Sequence, residues 1–295
     1  MRRIRRTAVA ALALALCAGA RAQTPSDTDA LVARLRGPRV AAHRGGYGFP
    51  DSNTVARFEI ARRLGADIVE TDLRLSKDQV VFMFHDSLMD HRTSCTGPIS
   101  SHTAAEIARC HLNGLDRGPD RFEAALQWSR GRVVIDAELK TGEVTRQAID
   151  LVRRYGAYDW VYFQVGNGLK TYRGVRDYDS RVAVEAAPQG PDGERYLAQL
   201  LAERDPRLVL IQLHPAFMSS EILRSIHASE KLTSLNAWRL APEEKAATCD
   251  RVFALGIDVA VTNAPELCAR QRDEARARES AGAGRRRGDL ESRAR

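Results

Sequence analysis

Several patterns that would indicate another fold or chemistry are missing from this 295-residue sequence. It has five cysteines but no C-x-x-C pair, so a zinc site built from cysteines is not expected. No G-x-G-x-x-G follows a candidate strand, which counts against a doubly wound dinucleotide-binding sheet. The apolar run Ala8–Leu16 is too short to cross a membrane as a helix. We therefore expect no stable membrane insertion.

The first 22 residues are predicted to be a signal peptide. Met1–Thr7 carries four arginines, an apolar run follows, and Ala20-Arg21-Ala22 fits a small-residue cleavage site. The mature chain is then expected to be periplasmic or secreted. Residues 23–38 would form a lead-in to a single domain over residues 39–269.

The basic charge of the chain is concentrated at its two ends. The net charge is +7, but five arginines lie in the predicted signal peptide, and residues 270–295 carry nine arginines against five acids. The remaining globular part is close to −2, which gives no support to nucleic-acid binding. Residues 270–295 are predicted to be a disordered basic tail. No pattern in the sequence indicates an oligomeric state.

Four cysteines remain after export, and an even number in an oxidising compartment favours disulfides. A Cys95–Cys110 bridge would close a loop in an irregular insertion. A Cys249–Cys268 bridge is possible as well, although Cys249 falls in a predicted helix.

Strand and helix patterns alternate along the whole domain, which is typical of a parallel α/β barrel. Helices are predicted at 53–64, 122–129, 144–155, 194–203, 221–229 and 243–255. Strands are predicted at 40–43, 68–75, 80–84, 132–138, 161–165, 182–186, 208–213, 232–236 and 259–262. These are nine strand candidates for the eight positions of a (β/α)8 barrel. The link Ser76–Gln79 is too short for a helix, so regular alternation breaks there.

Candidate chemical groups follow three strands near the start of the domain. His43 and Arg44 end the first strand, Glu70 and Asp72 share one face of the second, and His85-Asp86 follow the third. Carboxylate oxygens favour Mg²⁺ or Ca²⁺ over Zn²⁺. Histidines can move protons near neutral pH, and a cation with a guanidinium can offset the charge of a phosphodiester. This combination suits metal-assisted attack on a phosphate.

These residues also carry a resemblance to a known family. HRG at His43, the E-x-D pair at Glu70, the HD pair at His85 and E-x-K at Glu138 to Lys140 resemble, in order and spacing, the signature of the glycerophosphodiester phosphodiesterase family. The resemblance implies a TIM barrel of the PLC-like phosphodiesterase type. It implies that Glu70, Asp72 and Glu138 hold one divalent cation, Ca²⁺ or Mg²⁺. It also implies acid–base catalysis by His43 and His85, and phosphate or substrate contacts from Arg44 and Lys140.

Two further residues are candidates on the sequence itself. Asp86 would orient the His85 imidazole or bind substrate, and Trp238, near a late strand end, would contact the alcohol group. Which histidine is the base, and whether water or a substrate hydroxyl attacks first to give a cyclic phosphate, both stay open.

The sequence departs from the family pattern at three places. Ser52 stands where the family has the Glu of Pro-Glu-Asn-Thr, Asn263 stands where it has the Asp of Thr-Asp, and Phe163-Gln164 replace a Ser-Phe pair. We read the chain as a divergent branch.

The expected function is metal-dependent hydrolysis of small glycerophosphodiesters, the deacylated phospholipids of lipid metabolism, to an alcohol and glycerol phosphate. Two alternatives stay open: a phospholipase of the sphingomyelinase D or phosphatidylinositol-cleaving type, and a non-catalytic barrel that binds phosphodiesters.

Overall fold

The computed structural model describes residues 26–46, 48–166, 168–240 and 248–278. The predicted signal peptide and residues 279–295 of the predicted tail lie outside this part of the chain.

Eight parallel strands form a closed barrel, as the sequence predicts. The strands in chain order are β1 (Arg39–Ala42), β2 (Ile68–Leu75), β3 (Val81–Met83), β4 (Val134–Leu139), β5 (Val161–Val165), β6 (Ala183–Ala186), β7 (Leu208–Leu213), β8 (Leu232–Asn236) and β9 (Val259–Thr262). The ring order is β1-β9-β8-β7-β6-β5-β4-β2, and pairing of β1 with β2 closes it. All strands except β3 are parallel to their neighbours. Because the carboxyl ends of parallel barrel strands meet on one face, the polar groups after them can converge there.

The strand candidate in excess of eight is β3, predicted at 80–84, which exists but is not part of the barrel. β3 runs antiparallel to the end of β2, with Leu73 opposite Met83 and Leu75 opposite Val81. A tight turn joins the two strands, in which the Ser76 amide donates to the Val80 carbonyl. This hairpin explains why alternation breaks there, and it brings the residues after β3 back to the barrel mouth.

Most of the helices lie between successive strands on the outside of the barrel, while the first helix precedes β1. The helices are α1 (Asp27–Leu35), α2 (Val55–Arg63), α3 (Ala104–Ile107), α4 (Phe122–Ser129), α5 (Thr145–Tyr155), α6 (Leu169–Tyr178), α7 (Gly193–Ala202), α8 (Ser220–Ala228), α9 (Ala237–Leu240) and α10 (Thr248–Ala254). Residues 265–278 are also helical. The last predicted helix, at 243–255, has residues 243–247 outside the described ranges, and the described part of it ends at Ala254. No helix in the described ranges has an apolar stretch long enough to cross a membrane.

Both ends of the described chain pack against the floor of the barrel, opposite the strand carboxyl ends. Leu31 and Leu35 of α1 are fully buried and pack with Ala41 and Ile68 in the barrel interior. At the other end, Arg272 pairs with Asp67 at 2.6 Å. The predicted start of the tail at residue 270 is therefore too early, because residues 270–278 continue a packed helix.

An insertion after β3 has a small core of its own. Phe84, Met89, Ile99 and Ile107 are buried in it, apart from the main barrel core. The predicted disulfide Cys95–Cys110 is present and closes this insertion. The predicted disulfide Cys249–Cys268 is present as well and ties α10 to the final helical residues.

Candidate active site

A cavity of about 500 Å³ opens at the carboxyl ends of the barrel strands. Seven of the nine predicted site residues line it: His43, Arg44, Glu70, His85, Glu138, Lys140 and Trp238. The other two lie directly behind the lining, with Asp72 fully buried and Asp86 bonded to His85. The structure therefore brings the whole predicted set to one place.

Three carboxylates form the acidic centre of the cavity. Glu70, Asp72 and Glu138 each offer an oxygen atom, and these atoms lie within 4.8 Å of one another. β2 and β4 pair with Asp72 opposite Glu138, which places acids from adjacent strands side by side. Burial, then the charges of Asp72 and Glu138, raise the pKa of Glu70 well above its usual value. A cation bound by these oxygens would relieve that repulsion, and the oxygen donor set fits Ca²⁺ or Mg²⁺.

Arg44 and Lys140 bring positive charge to this centre. The Arg44 guanidinium Nε lies 3.1 Å from Asp72 Oδ2, and Lys140 Nζ lies 3.2 Å from Asp72 Oδ1 and 2.8 Å from Glu138 Oε1. Burial raises the pKa of Asp72, but Lys140 and Arg44 outweigh burial and lower it overall. Burial lowers the pKa of Lys140, but Asp72 and Glu138 outweigh burial and raise it. Asp72 is therefore a carboxylate and Lys140 an ammonium at neutral pH.

The turn after β1 aims two groups at the carboxylates. Arg44 has a left-handed backbone, with φ of 55°, and its amide donates to Glu70 Oε2 at 2.8 Å. Only a few per cent of residues other than glycine adopt such a conformation, which is frequent at functional turns. The following Gly45 has no room for a Cβ, since one would lie 2.8 Å from Phe58. The turn is thus fixed by packing against α2.

Asn53 belongs to the site although the sequence reasoning did not single it out. It is buried, its φ is 64°, and its Nδ2 donates to Asp72 Oδ2 at 2.8 Å. Its Oδ1 accepts from the Thr71 hydroxyl at 2.9 Å, so one amide holds two consecutive residues of β2. The available signal was local: asparagine tolerates the left-handed region, and the next residue, Thr54, caps α2.

His43 is held on three sides. Its Nδ1 lies 2.7 Å from Asn263 Oδ1, its Nε2 lies 3.9 Å from Glu70 Oε2, and its ring packs on Trp238 with centroids 4.6 Å apart. Burial and the nearby Arg44 charge lower the pKa of His43 to about 4. The imidazole is therefore neutral at pH 7, with Nδ1 donating to the asparagine oxygen.

His85 reaches the cavity from the β3 side. Its Nδ1 lies 2.6 Å from Asp86 Oδ1, and Arg92 Nε lies 3.7 Å from Asp86 Oδ2. Burial raises the pKa of Asp86, but the His85 hydrogen bond and the nearby positive charges lower it overall. Arg74 Nε donates to the His85 carbonyl at 2.7 Å and so holds the backbone. Arg92, which belongs to the disulfide-closed insertion, was not predicted.

A second pair of acids lies in the barrel interior. Asp136 and Glu185 are fully buried, and neither Asp136 oxygen accepts a hydrogen bond within the described part of the chain. The Ser234 hydroxyl donates to Glu185 Oε1. Burial raises the pKa of Glu185 to about 7 and, with the Glu185 charge, raises the pKa of Asp136 well above its usual value. Because two buried negative charges close together are unfavourable, this pair lowers the stability of the folded state at pH values where both groups would ionise.

Ser52, which replaces the expected family glutamate, makes a bond within its own loop. Its hydroxyl donates to the Phe49 carbonyl at 2.8 Å. The acidic centre therefore consists of Glu70, Asp72 and Glu138, with no acid at this position.

Comparisons with known proteins find similarity to glycerophosphodiester phosphodiesterases. Residues 43–154 match the model of the glycerophosphoryl diester phosphodiesterase family. A glycerophosphodiester phosphodiesterase from Bacillus subtilis (strain 168) is 35% identical over 68 residues, which are 23% of this chain and 23% of that protein. Matches to two Bacillus subtilis relatives thus cover less than a third of either protein.

Two longer matches extend over the barrel. A glycerophosphodiester phosphodiesterase from Caldanaerobacter subterraneus subsp. tengcongensis is 25% identical over 240 residues, or 77% of this chain and 94% of that protein. A solved phosphodiesterase structure from Oleispira antarctica, in complex with the product sn-glycerol-3-phosphate, superposes with a TM-score of 0.65 at 17% identity. That superposition covers 82% of this chain and 99% of the other and shows a shared fold.

Proposed function

We propose that this chain, a divergent member of the glycerophosphoryl diester phosphodiesterase family, hydrolyses glycerophosphodiesters to an alcohol and glycerol phosphate. The observation that carries the proposal is the convergence of three carboxylates and two histidines on one cavity. The bound sn-glycerol-3-phosphate of the Oleispira antarctica relative supports a product of this kind.

Glu70, Asp72 and Glu138 are proposed to hold one divalent cation, either Ca²⁺ or Mg²⁺. When bound, such an ion would offset phosphate charge and polarise a phosphate oxygen. The raised pKa of Glu70 supports a cation, because three carboxylates this close repel one another when no counter-charge is present.

His43 is proposed to be the general base. A neutral imidazole with Nδ1 fixed on Asn263 presents its lone pair at Nε2. That nitrogen can take the proton of the attacking water or substrate hydroxyl, and the low pKa of His43 keeps it unprotonated over a wide pH range.

His85 is proposed to be the general acid. In the imidazolium form of His85, Asp86 accepts from Nδ1 and Nε2 carries the second proton, which can pass to the alkoxide when the phosphorus–oxygen bond to the alcohol breaks. Arg44 and Lys140 are proposed to share the charge of the phosphate oxygens, since both already reach the acidic centre.

The proposed site of action is outside the reducing cytoplasm. Two disulfides support this proposal, because such bonds persist in oxidising compartments.

The test is hydrolysis of purified glycerophosphocholine and glycerophosphoglycerol, with sn-glycerol 3-phosphate as the measured product. Protein stripped with EDTA should be inactive, and excess Ca²⁺ or Mg²⁺ should restore activity. Glu138→Gln should abolish it, while Glu143→Gln, an exposed position outside the cavity, should not. Full activity of metal-stripped protein would refute the proposed cation site. Absence of hydrolysis under every condition would refute the proposed reaction.

A further inference from the structure

The cavity has two halves of different chemistry. The half formed by β1, β2 and β4 contains the acids, histidines and basic groups described above. The opposite half is lined by side-chain amides: Gln164 from β5, Gln189, Gln212 from β7 and Asn236 from β8. We call Gln164, Gln212 and Asn236, which come from three strand ends, the amide wall.

The side chains of the amide wall are largely buried, unlike glutamines and asparagines on the outer surface of the protein. Gln164, Gln212 and Asn236 are 6%, 8% and 9% exposed. Asn236 Nδ2 lies 3.5 Å from Gln212 Oε1, at the limit of a hydrogen bond. Within the described residues, Gln164 has no side-chain hydrogen bond, although it borders Glu138 across the β4–β5 pair. A buried amide that faces a cavity without a partner is costly unless a ligand or water satisfies it.

Side-chain amides match hydroxyl groups. An amide offers both donors and acceptors, and a hydroxyl needs one of each. A quaternary ammonium has no donor and is recognised through aromatic faces or negative charge. Among the described lining residues, the only carboxylates are Glu70 and Glu138, which belong to the opposite half.

The other lining groups of this half also disfavour a cation. Trp238 is the aromatic group of the described lining, and His43 packs on its ring. Arg239 lines the same side and adds positive charge. A head group that carries a positive charge would therefore meet neither an aromatic cage nor a free acid there.

We propose that the amide wall binds the hydroxyls of the alcohol group, so that the preferred diesters carry a neutral polyol such as glycerol or inositol rather than choline. This inference rests on the proposed function and deepens it, since it assigns the chemical class of the leaving group to residues of this chain. Each hydroxyl bonded to a buried amide leaves an unpaired polar group when the substrate lacks it.

The test compares kcat/KM for glycerophosphoglycerol and glycerophosphoinositol with that for glycerophosphocholine. Wild-type protein should prefer the polyol diesters by about tenfold or more, as expected for a site that hydrogen-bonds a substrate hydroxyl. Gln212→Met and Gln164→Met keep side-chain length but remove the amide, and each should reduce the preference several-fold. Gln127→Met, an exposed glutamine on α4, is the matched control and should keep the wild-type ratio.

The outcomes separate this inference from the proposed function. Equal kcat/KM for all three diesters, or a preference for glycerophosphocholine, would refute the proposed role of the amide wall. The proposed hydrolysis of glycerophosphodiesters would still stand. A wild-type preference that persists in both methionine variants also overturns it, and circular dichroism identifies a variant that fails to fold. If no diester is hydrolysed, thermal shifts with intact glycerophosphoinositol and glycerophosphocholine decide: a larger shift with the polyol diester supports the wall, and equal shifts refute it.

Discussion

His43 Nδ1 lies 2.7 Å from Asn263 Oδ1, so an amide side chain orients the imidazole. An amide oxygen accepts the Nδ1 proton and fixes the tautomer. Unlike a carboxylate, it carries no charge that would stabilise an imidazolium. Burial and the Arg44 charge lower the pKa of His43, and the uncharged Asn263 side chain does not offset this effect as a carboxylate would.

Asn263→Asp should move the acidic limb of the pH–rate profile to higher pH. The new negative charge favours protonated His43 and raises its pKa. A general base acts only when it is deprotonated, so activity increases as pH rises through the pKa of His43. In the variant this increase should occur at a higher pH. The measurement is log kcat/KM against pH, with Asn113→Asp, at an exposed position, as control. An unmoved acidic limb would show that His43 is not the base.

Glu70→Gln should stabilise the metal-free protein and remove its response to Ca²⁺. Burial and the neighbouring Asp72 and Glu138 charges raise the pKa of Glu70, which means that its ionised form is unfavourable without a counter-ion. The amide can still accept from the Arg44 backbone. In EDTA the variant should melt at a higher temperature than wild type.

The added cation provides the second half of that test. Wild type should gain about 2.7 kcal/mol at a Ca²⁺ concentration of 100 times Kd, and the variant should gain much less. Calorimetric melting in EDTA and in Ca²⁺ measures both, and Glu143→Gln should behave as wild type. A variant that still responds fully to Ca²⁺ would exclude Glu70 as a ligand.

Glu185→Gln should stabilise the protein increasingly as pH rises from 4.5 to 7. The pKa of Glu185 is raised to about 7 by burial, against an ordinary 4.5, so the folded state holds a proton that the unfolded state has lost over this range. Wild-type stability contributed by this group is greatest below pH 4.5 and falls until pH 7. In the variant this loss of stability is absent. Relative to wild type, its free energy of unfolding should therefore increase by roughly 3 kcal/mol between pH 4.5 and pH 7.

Urea unfolding at pH 4.5 and pH 7.5 measures this difference. Glu194→Gln, at an exposed helix position, should show no pH-dependent gain. A Glu185→Gln protein whose advantage is the same at both pH values would mean that Glu185 titrates normally.

Asp86→Asn should lower kcat with little change in KM. Asp86 holds His85 through a 2.6 Å contact, so its loss frees the imidazole to rotate and changes which nitrogen carries the proton. We expect a decrease on the order of tenfold to hundredfold, since general acid catalysis contributes roughly 10²–10⁴. Steady-state kinetics at pH 7 give the result, with Asp90→Asn, at an exposed position, as control. A change in KM alone would assign Asp86 to substrate binding.

Much of the fold was predictable because the barrel strands are short apolar runs between polar turns. The bounds predicted for β5, β7, β8 and β9 coincide with those in the structure. α6 was missed because its sequence, LKTYRGVRDY, is largely polar with a central glycine, and only Tyr172 and Val175 are buried. The direction of β3 could not be read from its sequence, since an apolar run of five residues fits either orientation.

The predicted site residues converge because each lies in a barrel strand, closely after one, or after the β2–β3 hairpin. The residues that hold them in place, such as Asn263 and Arg92, were harder to predict from the sequence. Asn263 lies 220 positions from His43, and no local pattern links the two. Arg92 sits in an irregular insertion whose path depends on its own small core. Contacts of this kind are set by tertiary packing, which periodicity does not describe.

The final helical residues are tied to the segment before β1 on the floor of the barrel, where Arg276 donates to the Pro38 carbonyl at 2.7 Å. The candidate active-site cavity opens at the opposite end of the barrel. A protein held on a solid support through side chains on the barrel floor would therefore present its open mouth to the surrounding liquid.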